Sequence, residues 1–168
     1  AELFEHPDSE IAASLEPMHG ILVPGGFGGR GSGGKIASVH FAREREIPFF
    51  GFCLGLQCAV IEFARHVAGL ADANSTEINS SCRHPVVCLL NEQYDITYKG
   101  GTMRLGSYDC VLTPGSKAFQ VYGREHVSER HRHRYEMNNK YREQFAAHGL
   151  LVTGTSPGGE VVEVIELG

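Results

Sequence analysis

The sequence predicts an α/β fold, with an open, mostly parallel sheet flanked by helices and antiparallel additions in the second half. Three observations carry this. In the first half, short apolar runs alternate with helical patterns at the spacing of βαβ units. Glycines cluster where those strands hand over to helices. In the second half, strand patterns and turn signals replace that alternation.

Taken in order, Gly20-Ile21-Leu22-Val23 ahead of Pro24 reads as a short, fully buried strand. The loop GGFGGRGSGG fills Gly25 to Gly34, and Ile36, Val39, Phe41 and Ala42 then mark a helix ending near Arg45. Ile47 to Phe52 is the next buried strand. After Cys53 the pattern turns helical, with Leu56, Val60, Phe63, Ala64 and Val67 on one face until Gly69 stops it. Pro85 to Leu90 and Tyr108 to Leu112 read as strands, and RHRHRYE as extended chain. Asn138 is a candidate cap for a helix running through Phe145 and ending at Gly149. Leu150-Leu151-Val152 and Val161 to Leu167 flank SPGG, a hairpin turn.

A chain of 168 residues, 42% hydrophobic, suits one globular domain. Its net charge of −5 and pI near 6.0 give no support to a nucleic-acid or membrane-surface role. No apolar run reaches the length of a membrane span, and no signal-peptide pattern opens the sequence. The cysteines (Cys53, Cys58, Cys82, Cys88, Cys110) are odd in number and contain no C-x-x-C pair. That argues against a disulfide framework or a zinc site and fits a reducing, cytoplasmic compartment.

The glycine loop admits three readings. Gly26-Phe27-Gly28-Gly29-Arg30-Gly31 satisfies G-x-G-x-x-G between a strand and a helix. A dinucleotide site also needs an acid at the end of the second strand, where Phe52-Cys53 stands instead. Gly29 to Lys35 matches a phosphate loop, but Ile36 occupies the position of its magnesium-binding hydroxyl. The third reading uses the bare backbone. Glycines let N–H groups approach a ligand and point at developing negative charge. With nothing reactive nearby, a plain surface loop would suffice.

Cys53 supplies the reactive neighbour. A lone cysteine is usually a small core residue. This one lies at the C-terminal end of a parallel strand, where α/β folds bind ligands, and at a helix N-terminus, which favours a thiolate. Gly51-Phe52-Cys53-Leu54-Gly55 is the thiol version of the Gly-x-Ser-x-Gly elbow. The N–H of Leu54 falls where an oxyanion donor is needed, and Gly25-Gly26-Phe27 can supply another. Cys53 therefore reads as a nucleophile.

Five segments together, LVPGGFGGRG, GFCLGLQ, ADANSTE, GGTMRLG and ERHRHRYEMN, resemble the class I (triad) glutamine amidotransferase domain of the CTP synthase family. GFCLGLQ marks the class, and NSTE, GGTMRLG and ERHRHRYE mark the family, across Gly20 to Glu166. The resemblance implies that Cys53 attacks the γ-carboxamide of L-glutamine while the N–H groups of Gly26 and Leu54 stabilise the oxyanion. It implies that Gln57 holds the substrate, Glu77 binds its α-amino group, Arg134 its α-carboxylate, and Phe27 packs on it. The ammonia released passes to a separate synthetase domain, which converts UTP to CTP with ATP. No cofactor or metal is implied for this domain. ATP, Mg and the effector GTP belong to the whole enzyme, a homo-oligomer with no nucleic-acid or membrane partner.

Residue chemistry suits the same roles, because a zwitterion calls for one carboxylate and one guanidinium. Without the resemblance, Glu77 is a surface acid. ERHRHR is then an exposed strand, with Arg130, Arg132 and Arg134 on one face and His131 and His133 on the other, or a His-x-His metal site. The family also carries a strand and helix ahead of this segment and a His-Pro-Glu after VVEVIEL. Residues 1–168 are therefore expected to be one glutaminase domain, seen without its first strand and its C-terminal His-x-Glu. NEQYDITYK departs from the family pattern. The competing readings are an amidotransferase-shaped scaffold or regulatory module, and another cysteine hydrolase such as a γ-glutamyl hydrolase.

Overall fold

The structure is a computed structural model that describes residues 8–90 and 103–168. NEQYDITYK and the first three residues of GGTMRLG lie outside the described residues. The chain divides into two compact units, Ala1–His84 and Pro85–Gly168.

In the first unit the described elements are α1 (Asp8–Leu15), β1 (Ile21–Val23), α2 (Ser32–Glu44), β2 (Phe49–Gly51), α3 (Leu54–His66) and β3 (Ala73–Ser75). β1 and β2 pair in parallel, with Ile21 opposite Phe49 and Val23 opposite Gly51. Ile21, Val23, Phe41 and Ala42 form a core, against which Ala12, Leu15, Ile47 and Phe49 pack. β2 is shorter than the apolar run suggests. Pro48 has no N–H to give, and Ile47 donates its own to Ala42 O at the end of α2 (2.9 Å).

The expectation of strands buried on both faces is corrected. Leu22 is 60% and Phe50 62% exposed, and they lie opposite each other in the register. Alternation sends one face of the pair to the core and the other outward. α3 departs the other way. Leu54, Gln57, Cys58, Val60, Ile61, Glu62, Phe63 and Ala64 are all buried, a face far wider than one stripe. It stops as expected, with Gly69 at φ 73° just past its end.

The second unit is antiparallel: β4 (His84–Leu89), β5 (Arg104–Leu112), α4 (Lys117–Tyr122), β6 (His126–His133), β7 (Tyr135–Met137), a 3₁₀ turn (Asn139–Tyr141), α5 (Arg142–Ala147), β8 (Leu150–Thr155) and β9 (Val162–Leu167). One sheet runs β6-β5-β8-β9, and β4 pairs with β7. Asn138 caps the 3₁₀ turn that leads into α5, whereas the residue at the start of α5 itself is Tyr141. The Asn138 side chain accepts from Lys140 N–H (3.0 Å) and donates to Pro85 O (2.9 Å). The hairpin across SPGG also forms, with Gly159 at φ 81°. α4, which the apolar pattern does not announce, is capped by Ser116 accepting from Phe119 N–H (3.0 Å). It covers Cys110, Leu112 and Val127 with Ala118 and Phe119.

The alternation in RHRHR is real and has a cause. Arg130, Arg132 and Arg134 are exposed, while His131 and His133 turn inward to a charged network. Buried Arg104 donates to Glu136 Oε1 (3.1 Å) and to both oxygens of Glu163, and its guanidinium lies 4.5 Å over the Tyr108 ring. His131 Nε2 lies 2.8 Å from Glu163 Oε2, and His133 Nδ1 3.3 Å from Glu136 Oε1. Burial raises Glu136 to about 7 against the pull of Arg104. Burial, reinforced by the charges of His131 and Arg104, lowers His133 to about 4. The hydrogen bond to Glu163 raises His131.

The lowered His133 sets a sign. An unfolded imidazole takes its proton near 6.5, the folded one only near 4. This contribution to stability is present above 6.5 and is lost as pH falls toward 4. Between those values the wild type should therefore lose more stability than His133→Gln, by up to about 1.4 kcal/mol per pH unit. Urea unfolding of both proteins at several pH values measures the difference, and equal slopes would contradict it.

Candidate active site

Only Phe52 and Cys53 separate the end of β2 from the start of α3. Cys53 turns the chain at φ 54°, ψ −113°, a left-hand-side conformation that side chains rarely adopt. The flanking glycines impose it. A Cβ on Gly51 would stand 2.7 Å from Gly55 C, and one on Gly55 only 2.1 Å from Val23 O. The first turn of α3 therefore rests directly on the end of β1. Phe52 N–H donates to Val23 O (3.3 Å), Gly55 N–H to Phe52 O (2.9 Å) and Gln57 N–H to Cys53 O (3.2 Å).

The glycine loop closes on this turn. A Cβ on Gly25 would lie 3.3 Å from Cys53 Cβ and 3.6 Å from its Sγ, and one on Gly26 3.1 Å from Leu54 Cδ2. The loop is held at three points. Ser32 donates its N–H and hydroxyl to Gly29 O (3.1 and 2.8 Å). Gly28 and Gly31 take positive φ. Gly28 N–H donates to Glu77 Oε1 at 2.9 Å. Glu77 is itself set by its N–H on Ser75 Oγ (3.2 Å), and Ser75 is fully buried.

The structure thus brings Gly26, Cys53 and Leu54 together and ties Glu77 to the same loop. Gln57 is buried in α3, one turn beyond Cys53, and Phe27 is 59% exposed on the loop. Arg134 is exposed between β6 and β7, in the second unit. The hydrogen bond from Gly28 to Glu77 spans 49 residues, and nothing local in the sequence announces it.

Cys53 and Cys82 are half-buried, whereas Cys58, Cys88 and Cys110 are buried. Burial pushes Cys58 and Cys110 up to about 11 and raises Cys82, and Cys88 is buried. The N–H of Leu54 belongs to the first turn of a helix and has no intrahelical acceptor, so it is placed to receive negative charge. A half-exposed thiol, a helix N-terminus and a glycine backbone meeting at one point can carry out nucleophilic attack on an acyl carbon.

The glutamine amidotransferase class-I family model matches residues 2–168, and the chain belongs to that family. Within it, the chain is similar to CTP synthases. It is 56% identical over 167 residues to that of Chlorobium phaeovibrioides, across 99% of this chain and 28% of the relative. It is 60% identical over 148 residues to that of Cytophaga hutchinsonii, across 88% of this chain and 28% of the relative. The solved glutaminase domain of Trypanosoma brucei CTPS with bound acivicin matches at a TM-score of 0.86 and 38% identity, covering 99% of this chain and 63% of that one. The chain thus spans just over a quarter of the length of these curated relatives. Among the described residues, no helix is long and apolar enough to cross a membrane.

Thiol chemistry gives a direct check. Limiting iodoacetamide should alkylate Cys53 well before Cys58 and Cys110, whose thiolates form only near 11. Peptide mapping reads the order, and an adduct mainly on a buried cysteine would contradict the assignment.

Proposed function

We propose that this chain is the glutaminase domain of a CTP synthase and that Cys53 is its nucleophile. The observation that supports this best is the left-handed Cys53 turn with the Gly25-Gly26 backbone in contact with it. In the proposed reaction Cys53 Sγ bonds to the γ-carboxamide carbon of L-glutamine. The carbonyl oxygen takes up negative charge, which the N–H groups of Gly26 and Leu54 stabilise. Collapse breaks the C–N bond, and ammonia leaves with a proton. Water then cleaves the thioester, giving glutamate and restoring the thiol.

Glu77 receives the α-amino group, Arg134 the α-carboxylate, Gln57 holds the substrate and Phe27 packs on it. Glu77 suits a double role, since one carboxylate oxygen holds Gly28 and a carboxylate offers further acceptor directions. Protonating the leaving ammonia and deprotonating the attacking water are general acid–base steps, worth typically 10²–10⁴-fold each.

The ammonia is used by the synthetase domain, which makes CTP from UTP and ATP in a cytoplasmic homo-oligomer. ATP, Mg²⁺ and GTP act at that domain or its interface. The thioester chemistry proposed for Cys53 draws on none of the three.

The test separates charge from fold. Glu77→Gln keeps an acceptor for Gly28 N–H and removes only the charge, and Arg134→Ala removes the guanidinium. Each should cost on the order of 2–5 kcal/mol in glutamine-dependent CTP formation by the full enzyme. Ammonia-dependent CTP formation should stay near wild type. Equal loss of both activities would overturn these two assignments, and a full enzyme with no glutaminase activity would favour the scaffold reading.

A further inference from the structure

Away from the nucleophile, α2 and α3 bring an unusual set of donors together. Glu62 is 1% exposed, a carboxylate among the apolar residues of α3. His40 of α2 places Nδ1 2.8 Å from Glu62 Oε1. His66 lies one helical turn beyond Glu62 on the same face of α3. Its ring faces that of His40, with centroids 4.3 Å apart and planes 34° from parallel. One donor atom from each of the three residues lies within 4.8 Å of the others.

We propose that His40, Glu62 and His66 form a binding site for a divalent transition-metal ion of the Zn²⁺ type, joining α2 to α3. Bonds of about 2.0–2.2 Å put the donors of one tetrahedral ion about 3.3–3.6 Å apart. Modest side-chain rotations reach that spacing. Two imidazoles and one carboxylate select Zn²⁺, Ni²⁺ or Cu²⁺ over Mg²⁺ or Ca²⁺, and as a three-ligand set they leave one position open to solvent.

The surroundings support the site. Arg43 donates through Nε to both Glu62 oxygens (3.2 and 3.1 Å) and through Nη2 to Oε1 (3.0 Å). Arg43 Nη2 also lies 3.2 Å from His40 Nδ1, so the guanidinium holds both the carboxylate and the imidazole in place, as outer-shell partners of metal ligands do. Arg43 also lies 2.7 Å from Glu44 Oε1. Two carboxylates thus face one guanidinium, and the surplus negative charge favours a cation. The His40 side chain is 39% exposed and His66 is exposed, which gives the ion a way in. A bound ion would pin the helix that follows the glycine loop to the helix that follows Cys53.

Cobalt is the probe. Co²⁺ added to the EDTA-treated full-length protein should give the visible d–d absorption of a tetrahedral site with one equivalent bound, and Zn²⁺ should bleach it. His40→Ala and His66→Ala, both at solvent-facing positions, should each weaken binding at least about tenfold. Zn²⁺ should raise the melting temperature of the wild type but not of these variants. Cys53→Ala should leave the d–d band intact. No d–d band in the wild type would overturn the proposal. So would a band that survives both histidine variants, or one accompanied by thiolate charge transfer and lost with Cys53, which would put the ion on the thiol.

Discussion

Between the carbonyl oxygen of Val23 and the α-carbon of Gly55 there is no space for a side chain, since a Cβ would stand 2.1 Å from that oxygen. This contact lets the first turn of α3 sit on the end of β1, and with Gly51 it leaves two residues to reverse the chain. The reversal forces Cys53 to φ 54°. A residue held in a sparsely populated backbone region costs on the order of 1–3 kcal/mol, and it persists only where its surroundings over-determine it. Here a parallel strand pair, a helix start and two obligatory glycines supply that over-determination. The glycine loop completes the arrangement, its backbone running close to the elbow, where a Cβ on Gly25 would lie 3.3 Å from Cys53 Cβ.

The second unit solves a different problem, ordering a strand dense in charge. β6 points Arg130 and Arg132 outward, and His131 and His133 at Glu163 and Glu136. Removing one partner from such a buried pairing costs about 3–5 kcal/mol, because the remaining charge stays out of water. The network therefore sets which way each side chain of RHRHR points, and with it the outward direction of Arg134. Its groups titrate in opposite senses, Glu136 upward and His133 downward, as expected where burial dominates.

What could be read in the sequence follows the range of the physics. The elbow was legible because it depends on neighbours two residues apart, and Asn138, Gly69 and SPGG were legible because caps and turns are local. β2 starts late because Pro48 has no N–H to give and Ile47 donates its own to Ala42 O, a bond that the apolar run does not encode. Glu62 was hidden because its partners His40 and Arg43 lie on another helix, although its i,i+4 spacing to His66 was there to be seen. Glu163 and Arg104 are 59 residues apart and meet only through the sheet. Glu77 was legible by resemblance alone, and its bond to Gly28 is a tertiary fact.

Steric closeness at Gly55, rather than the cysteine itself, sets the geometry of the Cys53 turn. The most direct measurement is the rate at which an electrophilic glutamine analogue labels Cys53 in Gly55→Ala. The control is Gly33→Ala, where an added Cβ meets nothing within 4 Å. Circular dichroism establishes that both are folded. Displacing the thiol by about 1 Å should slow labelling on the order of 10²-fold in Gly55→Ala. Gly33→Ala should label like the wild type. A folded Gly55→Ala protein that labels at the wild-type rate would contradict the account.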